Sequence, residues 1–253
     1  MNSTQTGILV FLCTFGAALL AIYLRGKLPP DHLDGDSRDV VKLVMGLVAT
    51  MAALVLSLLI STAHTAYDAQ EAEIGQLGVH VFQLDHTLAH FGAPAAPARA
   101  ILRNLVGDDI ERTWPHAGGP PVTYAPAQLV AEADQLFTDI ATLPASNALD
   151  QLEQSRAFSL LSSIGETRRL MSVQSRATIS WFVLSVLICW LALLFFGFGL
   201  FARLNRTVVI ALIAGAVSVA TACVLILEMS QPYSGWMIIS SAPIRDALQQ
   251  LSQ

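Results

Sequence analysis

Four stretches of the chain carry no charged side chain and are long enough to cross a bilayer, and one of them continues past the hydrocarbon. From Leu43 to Tyr67 there is no Asp, Glu, Lys or Arg across 25 residues, more than the roughly 20 that a helix needs to span a membrane. Beyond Tyr67 polar residues appear, yet Ile74, Leu77, Val81, Leu84, Leu88 and Phe91 recur at spacings of three and four, and Ile60, Ala63 and Tyr67 extend the series upstream. This period gathers apolar side chains into a seam for partner helices. No Gly or Pro cluster interrupts it, so the pattern predicts one helix from Val40 to Phe91 that begins in a membrane and ends outside it, about 78 Å long at 1.5 Å per residue.

The remaining apolar runs complete the frame. Ile8 to Leu24 is followed by Arg25 and Lys27. A cleaved signal peptide carries its positive charges before the run, so this reads as an uncleaved first span, residues 7–24. The windows Ala177–Ala202 and Thr207–Leu227 are separated by a tight turn, LNR, flanked by Arg203 and Arg206. They predict an antiparallel hairpin with spans at 178–202 and 207–227. Between the second and third spans, GAPAAP stops the long helix. Two amphipathic helices follow, one from Pro97 to Trp114 and one ending at Leu143, separated by the loop WPHAGGPPVTYAP. From Ala148 a weaker period runs without Pro toward the third window, predicting a helix continuous from the polar layer into the membrane. After Glu228 come the turn-like QPYSG, an interface-suited Trp236 and a short amphipathic segment, Pro243–Leu251, with Ser240 or Ser241 as its cap.

The expected fold class is therefore all-α and integral to the membrane, with four transmembrane helices and a helical extramembrane insert between the second and third. By residue the organisation is 1–67 for the first two transmembrane helices (spans 7–24 and 43–67), 68–176 for the insert, 177–227 for the hairpin and 228–253 for an interfacial tail. Composition agrees, with 54% hydrophobic and 13% charged residues. The formal charge of −5 is concentrated in the insert, where residues 68–176 hold 13 acidic against 7 basic side chains. Nucleic acid is thereby an unsuitable partner, since phosphate binding needs a basic face. The short loops 25–42 and 203–206 hold six Lys and Arg against four near the opposite helix ends, which by the positive-inside rule sets the insert outside the cytoplasm.

Chemistry is sparsely represented. Cys13, Cys189 and Cys223 all fall in apolar stretches, so neither a disulfide framework nor a thiolate metal site is expected. There is no Walker A loop, no GxGxxG after a strand and no GxSxG, so no enzyme and no cofactor is expected. His86 and His90 share a helical face (HTLAH), but two imidazoles do not make a metal site, and they read as a polar face opposite Leu84, Leu88 and Phe91. His64, near the polar end of the second span, is a candidate for lining an aqueous path. Asp68, Glu71 and Glu73 cluster just past that span and would form a ring in an oligomer. Glu228 follows the fourth span and needs a cation or water; Arg176, at the same membrane face before the third span, is its expected ion-pair partner. Gly46, Gly197 and Gly199 read as sites of close helix packing.

The segments YDAQEAEIGQL, LDHTLAHFGAPAAPARAILRNLV, FGFGLFARLNRTVVIAL and LILEMSQPYSGWMIISSAPIRDAL together resemble a bacterial membrane family of unknown function described as bestrophin-like. The resemblance implies four spans with a helical domain between the second and third, and brings no established catalytic or binding residues. The order of spans further resembles true bestrophins, pentameric anion channels whose second span lines the pore, and that likeness implies an insert on the cytoplasmic side. Two functions follow as expectations for a multi-pass protein of the bacterial inner membrane, in contact with the lipid bilayer. One is a homo-oligomeric channel or transporter for small ions with the second span along the axis, motivated by the Ile60–Phe91 seam and the acidic cluster. The other is a non-conducting membrane scaffold or sensor that binds a partner through the insert.

Overall fold

A computed structural model describes residues 3–27, 35–114, 126–174, 181–202, 205–231, 233 and 235–250, the side chains of 35–38, 126–129 and 174 excepted. Among these residues the chain is helical: α1 (Ser3–Arg25), α2 (Gly35–Ala89), a short 3-10 turn (Ala93–Ala95), α3 (Ala96–Thr113), α4 (Pro126–Ala141), α5 (Ala148–Gln174), α6 (Trp181–Phe201), α7 (Arg206–Met229) and α8 (Ala242–Gln250). Helices α1, α2, α6 and α7 are long and apolar enough to cross a membrane. The long second helix starts five residues earlier than its apolar pattern predicts and ends two earlier. The Phe91 and Gly92 amides turn back onto the Leu88 and Ala89 carbonyls at 3.1 Å, and Gly92 takes a positive φ of 63° that closes the helix. The expected continuity of α5 with the third span falls on residues 175–180, outside the described residues.

The chain divides into two compact units, the first comprising Met1–Tyr67 and Thr178–Met237, the second Asp68–Ala177 and Ile238–Gln253. In the first unit α1 packs through a face of mostly small residues, Thr6, Gly7, Val10, Thr14, Ala18 and Ala21, all buried. Lipid tails are as apolar as leucine, so helices in hydrocarbon associate by close van der Waals approach rather than by escape from water. Small side chains permit that approach. A Cβ on Gly199 of α6 would stand 2.3 Å from the Ala18 carbonyl oxygen, and one on Gly7 would stand 2.3 Å from the Val224 side chain of α7. Gly197 makes room for Met45 of α2, whereas a Cβ on Gly46 would meet nothing within 4 Å, so the expected close packing holds at two of the three glycines. The α6–α7 turn is set locally, the Asn205 side chain accepting the Val208 amide at 2.8 Å as an N-cap.

The second unit has a core of large aliphatic side chains. Ile74, Leu77, Val81, Leu84 and Leu88 of α2 are at most 2% exposed, joined in the core by Leu102, Leu136 and Ile140. Arg99 of α3 grips the Asp85 carboxylate of α2 through two bonds of 2.6 and 2.7 Å, the bidentate geometry that makes such a pair strong. The Asn147 side chain caps α5 by accepting the Asp150 amide at 2.8 Å. The Trp114 indole donates to the Ile239 carbonyl at 2.8 Å, and Gly78 admits the Pro243 backbone, whose oxygen lies 2.8 Å from where a Cβ would be. Ser240 rather than Ser241 provides the side-chain bond at the start of α8, accepting the Ala242 amide at 3.1 Å.

Close approach at Gly199 has a measurable consequence. Gly199→Ala should force α1 and α6 apart and cost about 1–3 kcal/mol, the usual range for overpacking. Gly16→Ala, on an interior α1 position with open space around it, is the control and should hold or slightly raise the melting temperature in detergent, since alanine suits a helix better than glycine. Equal melting temperatures for the two variants would show that the Gly199–Ala18 contact does not carry the packing.

Candidate functional site

Two places concentrate polar groups in otherwise apolar surroundings: one face of α2, and the end of α7. On α2 the apolar seam is not available to another chain. Ala63 packs with Ile226 and Met229, Ala52 packs with Leu187, Leu191 and Leu194, and Ile74 to Leu88 are buried in the second unit. The seam that suggested an oligomeric axis is thus satisfied by the protein's own helices, and the uncovered face lies elsewhere on the helix.

That face has a period of its own. Leu47, Thr50, Leu54, Ser57 and Ser61 recur at spacings of three and four and are all exposed; His64, Asp68 and Glu71 continue the spacing and are exposed too. Within its most apolar window α2 is 11% buried, against 28–39% for α1, α6 and α7, so it is the span least covered by the rest of the chain. The stripe changes character along its length. Leucines and hydroxyls give way to an imidazole and two carboxylates. The Thr50, Thr62 and Thr65 hydroxyls each donate to a carbonyl three or four residues earlier, at 2.8 to 2.9 Å, which lets them face an apolar phase without an unmet hydrogen bond.

At the other place, Glu228 is 5% exposed at the last turn of α7. Its carboxylate accepts the Ser3 hydroxyl from the start of α1 and the Trp236 amide at 2.6 Å, with the Met237 amide also bonded to it. Gly235 makes this cage possible. It has a φ of +100°, and a Cβ there would lie 2.2 Å from Glu228 Oε2. The indole of Trp236, 84% exposed, stands outside. Arg176, the partner expected for Glu228, lies outside the described residues. Ser3 and Gly235 escaped sequence reading because a hydroxyl at the chain's start and a glycine in a turn carry no charge to match with a carboxylate.

The remaining candidates do not converge. His86 and His90 are exposed while Leu84 and Leu88 are fully buried. His86 stacks on Phe82 with 6.3 Å between ring centres, and His90 Nε2 stands 3.7 Å from Asp150. Partial desolvation pushes the Asp150 carboxyl up, but hydrogen bonds from Ser146 and Asn147 outweigh it and hold the group below its ordinary value. Among the described residues no three His, Cys, Asp or Glu side chains assemble into a metal-binding group.

Comparison with known proteins adds the following. A family model, the bestrophin-like domain, matches residues 12–244. No curated protein matches the chain in sequence. In structure the chain is similar to a crystallised variant of a bacterial bestrophin homologue from Klebsiella pneumoniae, with a TM-score of 0.72, 10% identity and 97% of each chain covered. A second variant of a Klebsiella pneumoniae bestrophin homologue gives a TM-score of 0.67 at 12% identity over 96% of this chain and 97% of that one. A crystal structure described as a membrane protein gives 0.72 at 11% identity over 96% of both chains.

The Glu228 cage can be tested on its own. Glu228→Ala strands two backbone amides and should lower stability by about 1–3 kcal/mol, the penalty for buried donors left unpaired. Gly235→Ala should also be destabilising, through its backbone angle and the clash with Oε2. Because both changes break one cage, the double variant should lose less than the sum in thermal unfolding. Strict additivity would show that the two residues do not act together.

Proposed function

The chain belongs to the bestrophin-like family, and on that premise we propose that it is a homo-oligomeric ion channel of the bacterial inner membrane with α2 facing the axis. The four apolar helices cross the membrane, two on either side of the insert at 68–176. The reading rests on one observation: the exposed stripe Leu47, Thr50, Leu54, Ser57, Ser61 on the least covered span. Set around an axis, such a stripe supplies apolar constrictions separated by hydroxyls. His64, Asp68 and Glu71 then form successive rings at the end of the span, and rings of carboxylates favour cations. In this arrangement the Ile60–Phe91 seam packs against the chain's own helices, rather than being the surface that meets other copies.

The test is ion flux through the full-length protein reconstituted in liposomes. Flux is expected, and it should respond to thiol reagents when Cys replaces Leu54, Ser57 or Ser61 in a background free of the three native cysteines. Cys at Ala52 or Ala63, each 3% exposed, should leave flux unchanged under the same reagents. Absence of flux from folded protein, at any voltage or pH tried, would instead support a non-conducting scaffold that binds a partner through the insert.

A further inference from the structure

A cavity of about 240 Å3 lies within the second unit, among α2, α3, α4, α5 and α8, apart from the stripe assigned to conduction. Leu77, Val81, Leu102, Leu136, Ile164 and Ile244 supply apolar wall. A 150 Å3 apolar cavity accommodates benzene, so this one has room for about ten non-hydrogen atoms. Its charged lining is small and unbalanced. Arg168 is the only cation among the lining residues described, and it is already bonded to Asp109. Asp134 lines the same cavity from α4 and is left as the uncompensated charge. Phe137, one turn further along α4, is 55% exposed and offers a ring face, which attracts cations through its quadrupole.

Gly165 shows that the space is kept open at a cost. It sits inside α5, where glycine is less stable than alanine by about 0.5–1 kcal/mol, yet a Cβ there would meet nothing within 4 Å. Packing does not require the glycine. It lines both this cavity and an adjoining cleft of about 500 Å3 that shares Phe137 and Leu161, so a side chain as large as leucine there would take up space that alanine would leave open. An anionic ligand would have to displace Asp109 from Arg168, and a neutral one would leave Asp134 unused. We propose that the cavity binds a small amphipathic amine, its apolar body among the leucines and its ammonium group between the Asp134 carboxylate and the Phe137 ring.

The experiment uses the full-length protein in lipid nanodiscs, because free detergent would compete for an apolar cavity. Three probes of similar size, phenethylamine, phenylethanol and phenylacetate, are titrated by calorimetry with thermal unfolding as a second readout. Phenethylamine should bind saturably and raise the melting temperature, and should bind up to about fivefold tighter than phenylethanol, the scale expected of one solvent-accessible charge pair. Phenylacetate should bind most weakly. Asp134→Asn should erase the preference for the amine while leaving the unliganded melting temperature unchanged, since the side chain is exposed. Gly165→Leu should fold at least as stably as the parent and bind none of the probes. The proposal is overturned if Gly165→Leu binds phenethylamine as the parent does, if that variant is markedly less stable, which would show the space to be filled in the intact chain, or if phenylacetate is the tightest probe.

Discussion

In hydrocarbon there is no water to take up a hydrogen bond, so every polar group carried into the membrane must find its partner within the protein. Much of the first unit follows from that constraint. The spans are helices because a helix pairs its own backbone. Their hydroxyls, at Thr14, Ser218 and Thr221 as well as along α2, bond to carbonyls of the preceding turn. Glu228 meets the same demand at higher stakes. A carboxylate cannot bond to its own helix in this way, so backbone amides from the following turn and a hydroxyl from α1 are brought to it, and the positive φ of Gly235 is the local condition for their arrival.

The two units are held by different forces, and their residue types differ accordingly. In the first, contact between spans depends on small side chains that let backbones approach, and the leucine-rich positions that would form a core in water are in large part exposed, as at Leu43, Leu54 and Leu58. In the second, a leucine and isoleucine seam is buried completely, and polar groups are met by charge pairs such as Asp85–Arg99 and by caps such as Asn147. Helix α2 contributes to both. Its buried face is continuous in sequence, while its opposite face shifts from leucine and hydroxyl to histidine and carboxylate at the point where the surroundings change.

Most helices were legible because they depend on local pattern. The absence of charge over four windows, the three-and-four period of α2 and the Gly and Pro breaks mark elements within a few residues of where they lie, and Ala148 marks the start of α5 on the residue. The bestrophin-like family could be recognised from its segments. What could not be read was direction and distance. Periodicity shows that Ile74, Leu77 and Val81 share a face, but not that the chain's own helices cover it, so the seam looked like an interface with other copies. Likewise Glu228 announces a need for a partner, but the Ser3 hydroxyl, 225 positions away, and two backbone amides have no sequence signature that singles them out. The stripe of Thr50, Ser57 and Ser61 did carry a signal, the same period offset around the helix, and it was masked by the stronger apolar one.

The packing of α1 also bears on how the protein is made. Its neighbours are α6 and α7, and its first turn is tied to the end of α7, so α1 leaves the ribosome well before the helices it rests against. Roughly 150 residues separate the end of α1 from the start of α6, which at 5–20 residues per second is a wait of about 8–30 s. Throughout that interval the small-residue face of α1, with Gly7, Thr14 and Ala18, is without its final contacts. The contacts of α1 therefore form by lateral association with helices made much later, and a chain truncated before α7 leaves α1 with α6 alone to dock against.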